Sequence, residues 1–269
     1  DTIDRRWLTE GPYSQKFQAK LGELIGARHV FFAPNGTLAI FLAALAFEPE
    51  PGDEIIIPTF TFYGSATAPL FAGFKPVFID VDPHTFNALP EAFEAAIGPR
   101  TKAFMPVHIY GQACNMDGIM EVARRNGVQV IEDAAQALTV KLNGRHAGTF
   151  GDIGTFSLFS DKVITTGEGG IVVTNSDEIA DRLRLLRNQG RPNSGTFIHP
   201  SLGMNFRITD LQAAIGMGQM EKLPRILKDR ANKWRLYSEG LADVDEVRAM
   251  KVLKGSDIVP FRFPIVTPD

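Results

Sequence analysis

Lys162 stands alone between two short apolar runs in Thr155–Val173, which reads TFSLFSDKVITTGEGGIVV. Upstream, Phe156-Ser157-Leu158-Phe159 has the character of a strand end that carries a hydroxyl. Downstream, Thr165-Thr166-Gly167-Glu168-Gly169-Gly170 is small and polar, and it leads into the β-branched run Ile171-Val172-Val173, which reads as a buried strand. A lysine in that setting, beside glycines that let backbone approach a ligand closely, suits a nucleophile that forms a Schiff base. A solvated loop lysine is the competing reading.

Three further sites lie at strand-to-helix junctions. Asn35-Gly36-Thr37 precedes an Ala/Leu-rich helix, where exposed N–H groups and the Thr37 hydroxyl would cradle a phosphate. An ordinary helix cap by Asn or Thr explains the same residues. Ile131-Glu132-Asp133-Ala134-Ala135-Gln136 ends an apolar run in a carboxylate followed by small residues. A buried carboxylate needs a partner to stay charged, and a protonated heterocyclic nitrogen such as that of pyridoxal phosphate is one. A cap or a buried ion pair is another. In Pro58-Thr59-Phe60-Thr61-Phe62-Tyr63 an aromatic ring is placed to stack on a flat cofactor or simply to fill the core. Taken in order, the phosphate loop, the aromatic ring, Asp133, Ser157 and Lys162 supply every group that pyridoxal phosphate requires.

Other reactive side chains give less. His108, in Val107-His108-Ile109-Tyr110-Gly111, follows a strand and reads better as a satisfied structural histidine than as a proton carrier. Cys114, the single cysteine, excludes an internal disulfide and a thiol cluster, and reads as a small, partly buried hydrophobe. His29, His84, His146 and His199 share no metal-like spacing, so no metal is expected.

The elements that must position these groups alternate. Helices are expected at Tyr13–Ile25, Leu38–Phe47, Phe62–Ala72, Pro90–Ile97 and Asp117–Asn126. Strands are expected at His29–Ala33, Glu54–Ile57, Pro76–Ile79, Ala103–Pro106, Val128–Glu132 and Gly154–Leu158. That order predicts an α/β fold with a mostly parallel central sheet flanked by helices, its ligand loops along the carboxyl edge. Beyond Glu178 the chain reads as helical over Ile179–Asn188, Asp210–Lys222 and Leu223–Leu241. The polar stretch Gly190–Arg207 between them is long enough for a functional or partner-facing loop. Residues 1–241 are therefore expected to form a large domain. Residues 242–269, with two short strands within Val244–Val266, read as the start of a small C-terminal α+β domain.

The chain has 269 residues, 44% hydrophobic and 22% charged, with a net charge of −3. The balance is that of a globular protein and gives no basic footprint for nucleic acid or an anionic membrane. No apolar run approaches the roughly 18 residues that span a bilayer. No apolar leader opens the chain. A cytoplasmic location is expected. The lack of an initiator Met, and the ending Thr267-Pro268-Asp269, suggest part of a longer polypeptide.

The sequence resembles the sugar aminotransferases of the DegT/DnrJ/EryC1/StrS group through collinear motifs over nearly its whole length. These are WLTEGP (Trp7–Pro12), NGT (Asn35–Thr37), PGDEIIIPTFTF (Pro51–Phe62), KPVFIDVDPHTFN (Lys75–Asn87) and PVHIYGQ (Pro106–Gln112). They continue with VIEDAAQA (Val130–Ala137), GDIGTFSLFSDKVITTGEGG (Gly151–Gly170), LRNQG (Leu186–Gly190) and GMNFRITDLQAA (Gly203–Ala214). The resemblance implies the type I fold of pyridoxal-phosphate-dependent transferases, and it implies roles for individual residues. Lys162 would be the Schiff-base lysine and proton shuttle, Asp133 the partner of the pyridine nitrogen and Gln136 a neighbour of the ring hydroxyl. Gly36, Thr37 and Ser157 would cradle the phosphate, and Phe62 would cover the cofactor ring. Asn205 would reach the phosphate in the neighbouring subunit's site, which makes a homodimer with shared sites necessary. Gln189 stands where histidine is common, and Met204 where an aromatic is common; both bear on substrate identity.

The expected reaction moves an amino group from an amino acid, glutamate by resemblance, to a nucleotide-linked keto sugar. Group members with histidine at the lysine position dehydrate sugars instead, and Lys162 argues against that branch. Another type I pyridoxal enzyme, or a non-catalytic regulatory paralogue, is the alternative.

Overall fold

The computed structural model describes residues 2–4, 6–193, 195 and 197–268. Ser194 and Thr196, within the long polar loop singled out above, lie outside the described residues, as do Asp1, Arg5 and Asp269.

In chain order the elements are α1 (Pro12–Ile25), β1 (His29–Ala33), α2 (Gly36–Ala46), β2 (Glu54–Pro58), α3 (Gly64–Ala72) and β3 (Lys75–Ile79). Next come α4 (Pro90–Ala95), β4 (Thr101–Phe104), a single 3-10 turn at Ile109–Gly111, α5 (Met116–Asn126) and β5 (Gln129–Asp133). A short hairpin, β6 (Lys141–Leu142) and β7 (Arg145–His146), leads to β8 (Ile153–Ser157), β9 (Gly170–Thr174) and α6 (Asp177–Arg187). The long helix α7 (Asp210–Gly240) is followed by β10 (Arg248–Ala249) and β11 (Ile265–Val266), which pair antiparallel.

Seven strands form one sheet in the order β1-β9-β8-β5-β4-β2-β3. All run the same way except β9, which is antiparallel to both of its neighbours. Every strand but the edge strand β3 feeds apolar side chains to both faces, as a parallel sheet covered on two sides requires. Phe32, Ile56, Val130 and Val173 join the core under α1, α5 and α7, while Phe31, Ile55, Ile57, Ile131 and Val172 join the core under α2, α3 and α6. Pro76, which has no N–H for a ladder, sits in the edge strand β3.

The expected helices and strands of the first 190 residues are present, with no end moved by more than two residues. Three differences have physical causes. The β6–β7 hairpin was not expected; its strands are too short to show periodicity, but Asn143 and Gly144 take φ values of 50° and 82°, the left-handed pair that a two-residue hairpin turn needs. The two helices expected over 210–241 are one helix of 31 residues that runs through Pro224. Packing of its face against α1, through Ala213 and Gly216 near Phe17, outweighs the backbone hydrogen bond lost at the proline. Finally, residues 251–261 fold back onto the turn after β4: Leu253 N–H donates to Gln112 Oε1, Val259 N–H to Gly111 O and Phe261 N–H to Tyr110 O.

Candidate functional site

The carboxyl edge of the sheet opens into a cavity of about 540 Å³. It collects the ends of β1, β2, β5 and β8, and the loop that enters β9 from the same edge. Its lining includes Gly36, Thr37, Phe62, Asp133, Gln136, Ser157 and Lys162. Seven of the eight residues expected at the site therefore meet in one cavity. Asn205 does not line it; it is exposed, and its backbone pairs with that of Asn188.

At one end, α2 starts against the end of β8. The Asn35 side chain accepts from Leu38 N–H at 2.9 Å, so the capping explanation holds for Asn35. It leaves the first-turn amides of Gly36 and Thr37 without carbonyl partners inside the helix. Gly36 allows the approach: a Cβ there would lie 2.8 Å from Ser157 Cβ. Buried Ser157 accepts from Phe159 N–H at 3.2 Å, which leaves its own hydroxyl proton to donate. Free amides, two hydroxyls and a helix N-terminus make this end a receptor for an anion.

At the base of the cavity, Asp133 is 3% exposed. Neither a cap nor an ion pair satisfies it. Its Oδ1 accepts from Ala135 N–H at 3.0 Å, and its Oδ2 accepts from the Ser65 hydroxyl at 2.6 Å. Thr61 Oγ1 lies 2.7 Å from Ser65 Oγ and must donate to it, because the Ser65 proton is already committed to the carboxylate. Neighbouring Gln136 accepts from Tyr110 N–H at 2.8 Å, and Phe62 lies open at the mouth, 70% exposed.

Adjacent residues of a strand face opposite ways, so Glu132 points away from Asp133. It is fully buried and accepts from the amides of Gly148 and Gly151 at 2.8 and 2.6 Å. His108 completes that network, 2.9 Å from Glu132 Oε2, with Cys114 N–H donating to its Nδ1 at 3.0 Å. An N–H aimed at Nδ1 requires a lone pair there, so Nε2 carries the proton. His108 and Cys114 are structural, as the sequence suggested; neither lines the cavity.

Lys162 is half-buried in a loop turned by its own N–H to Phe159 O at 3.0 Å. Its Nζ lies 4.2 Å from the centroid of the Phe261 ring. Burial pushes the amine below the ordinary lysine value; Asp161 and Asp133 oppose that shift, and Arg262 assists it. A lysine biased toward its neutral form is suited to attack a carbonyl.

Sequence reading missed Ser65, Thr61, Phe261 and Arg262. Gly64-Ser65-Ala66 looks like any helix start, and only the sheet order brings it to Asp133. Phe261 and Arg262 lie in the stretch expected to open a small C-terminal domain, where nothing local marks them as site residues; both line the cavity. Gln189 and Met204, flagged for substrate identity, do not line it; they face each other across the base of the polar loop, Gln189 N–H donating to Met204 O at 3.1 Å. Among the described residues no group of histidines, cysteines and carboxylates could hold a metal ion, and no helix is long and apolar enough to cross a membrane.

The sequence profile of the DegT/DnrJ/EryC1/StrS aminotransferase family matches residues 1–269. GDP-perosamine synthase of Caulobacter vibrioides is 43% identical over 243 residues, covering 90% of this chain and 66% of that protein. UDP-N-acetyl-3-dehydro-alpha-D-glucosamine 3-aminotransferase of Acidithiobacillus ferrooxidans is 42% identical over 236 residues, covering 87% of this chain and 63% of that one. Among solved structures, S. venezuelae DesV superposes with a TM-score of 0.94 at 32% identity, covering 99% of this chain and 71% of that chain. The chain thus spans somewhat less than two thirds of the length of these two curated relatives.

Proposed function

The chain belongs to the DegT/DnrJ/EryC1/StrS aminotransferase family, and from that premise we propose that it carries the catalytic centre of an enzyme that moves an amino group from an amino acid, glutamate as donor, to a nucleotide-linked keto sugar. Its fold is that of the type I transferases. The cofactor of this reading is pyridoxal 5′-phosphate. The observation that carries it is the convergence of Lys162, Asp133 and the Gly36–Thr37–Ser157 cradle on one cavity. The names of the relatives support a sugar nucleotide as acceptor.

The residues present fit that cofactor. Gly36 keeps open, beside Ser157, the space a side chain would fill, and hydroxyls and amides there suit a phosphate dianion. Asp133 offers a buried carboxylate, held by two donors and lacking a cation of its own, to a protonated ring nitrogen. When bound, pyridoxal phosphate supplies the electron sink that lets a C–H bond next to nitrogen break.

The chain's own groups would do the rest. Ser157, Thr37 and the Gly36 amide anchor the phosphate, Gln136 orients the ring edge, and Phe62 shields the ring from water. Lys162 Nζ would hold the cofactor at rest and would carry the proton that leaves the donor's α-carbon. The same transfers in reverse deliver the amine to the sugar carbonyl. Its depressed basicity favours the neutral amine that both tasks need.

We place this activity in a homodimer in the cytoplasm, with Asn205 serving the neighbouring site. Support for a partner-facing role of its loop comes from Phe197, Ile198 and Leu202, which are 88%, 72% and 92% exposed. The test is an absorbance spectrum of the full-length protein before and after glutamate. A visible band that glutamate converts to a shorter-wavelength one, and that Lys162→Ala lacks, is expected. No band after adding cofactor overturns the reading.

A further inference from the structure

Arg230 projects from α7 onto the back of the lysine loop. Its Nη2 donates to two backbone carbonyls, Asp161 O and Lys162 O, both at 3.2 Å. Its Nη1 donates to Pro260 O at 2.8 Å. Pro260 precedes Phe261, whose ring lies against the lysine amine. One guanidinium thus joins the loop that carries Lys162 to the segment that carries the ring packed on it. From the other side, Arg262 Nη2 donates to Asp161 Oδ2 at 2.8 Å. Without Arg230 the lysine loop would keep only the Phe261 ring contact and the Arg262–Asp161 pair across to a segment, about a hundred positions away in sequence, that is itself tied to Gly111 and Tyr110.

We propose that Arg230 is a positioning residue for Lys162: it binds the lysine loop and the Phe261 segment into one unit and so fixes the half-buried seat of the amine. This rests on the reading of Lys162 as the reactive amine. A planar fork with several donors can hold three carbonyls at once, whereas a lysine ammonium on a flexible stem cannot reproduce that spread.

The seat matters because two effects oppose each other there. The face of Phe261, 4.2 Å from Nζ, favours a cationic amine. Burial disfavours it, and burial prevails, with Arg262 adding to it and Asp161 and Asp133 opposing. Glu168 also lines the cavity, while Arg230 lies behind the loop. If the strap is lost, the loop parts from the ring segment and water reaches the amine, so its basicity climbs back toward the ordinary value.

The test is competitive labelling of lysines by acetic anhydride, read by mass spectrometry across pH. The full-length protein is first freed of bound carbonyl compounds with hydroxylamine. In Arg230→Lys and Arg230→Met the Lys162 midpoint rises by about half a unit, which lowers its labelling below the midpoint roughly three-fold. Unchanged circular dichroism of each variant reports that the fold is intact. Because the readout needs no cofactor, it separates failure of this proposal from failure of the functional reading. A Lys162 midpoint unchanged in both variants overturns the proposal. Should Arg230→Met fail to fold, hydrogen exchange in the unaltered protein decides: amides of 161–163 and of Val259, Phe261 and Arg262 exchange with a common opening rate if strapped, and with independent rates if not.

Discussion

The Ser65 hydroxyl donates to Asp133 Oδ2 at 2.6 Å, and both side chains are buried. The bond links the first turn of α3 to the end of β5, elements 68 positions apart in sequence. It fixes one carboxylate oxygen and, through Thr61, extends a hydroxyl chain toward the cavity wall. Ser65→Ala removes the donor and leaves a buried carboxylate oxygen bare. Hydrogen bonds to charged groups contribute about 1.5–3 kcal/mol. Denaturant unfolding should show a loss of that order, and cofactor affinity should fall with it. A variant as stable as the parent, with unchanged cofactor affinity, would make the contact incidental.

Two glycines should respond to the same substitution with opposite signs. A Cβ on Gly36 would meet Ser157 Cβ at 2.8 Å, in a place where strand and helix backbones are both fixed. Gly36→Ala should destabilise the protein and weaken phosphate binding, despite the better helix propensity of alanine. Gly218, inside α7, has nothing within 4 Å of the position a Cβ would take, and its φ is not positive. There Gly→Ala should add about 0.5–1 kcal/mol. Thermal melting of the pair checks it; parallel shifts would refute the steric account of the cradle.

Why some of this was legible in sequence and some was not follows from how far each residue's partner lies. Asp133 and Ser157 end strands and Lys162 follows one closely, in the loop that leads to β9, so strand–loop punctuation alone placed them at the carboxyl edge. Gly36 and Thr37 followed from the helix start. Ser65 could not be found that way, because its partner is set by the sheet order β5-β4-β2 and no local pattern encodes it. Phe261 is harder still. Its place depends on backbone bonds such as Val259 N–H to Gly111 O, which any residues could make. The Asn143-Gly144 turn carried a readable signal, but two-residue strands gave it nothing periodic to join.

Acid should weaken the fold through His146. Thr139 N–H donates to its Nε2 at 3.0 Å, so the proton sits on Nδ1, bonded to Ala147 O at 2.5 Å. Burial then holds its basicity below the ordinary 6.5. The unfolded chain binds a proton below pH 6.5 that the folded chain resists. Stability is therefore full above that value and falls as pH drops, levelling off once the folded group also titrates. The slope from one such group is at most about 1.4 kcal/mol per pH unit. His146→Gln should be less stable at pH 7.5 and should lose part of the decline between pH 7 and 5.5. Parallel stability curves for variant and parent would exclude His146 as the source.

The polar loop gives a test of subunit sharing. Leu202 is 92% exposed beside Met204, and Asn205 is held at the loop base by backbone pairing with Asn188. If this loop reaches a partner's site, Leu202→Glu places a charge in an apolar contact, which costs several kcal/mol when unpaired. Sedimentation should then show dissociation at micromolar concentration, and cofactor should be lost in step. Asn205→Ala should weaken cofactor binding while the dimer persists, because it removes a polar contact and adds no charge. Mixing Asn205→Ala with Lys162→Ala tests the geometry further. A dimer of one Asn205→Ala chain and one Lys162→Ala chain has one site lacking both groups and one site intact if the loop crosses. If the loop serves its own chain, each site lacks one group. Near-half activity of the mixed dimer therefore supports the crossed arrangement, and activity no higher than that of the Asn205→Ala dimer overturns it.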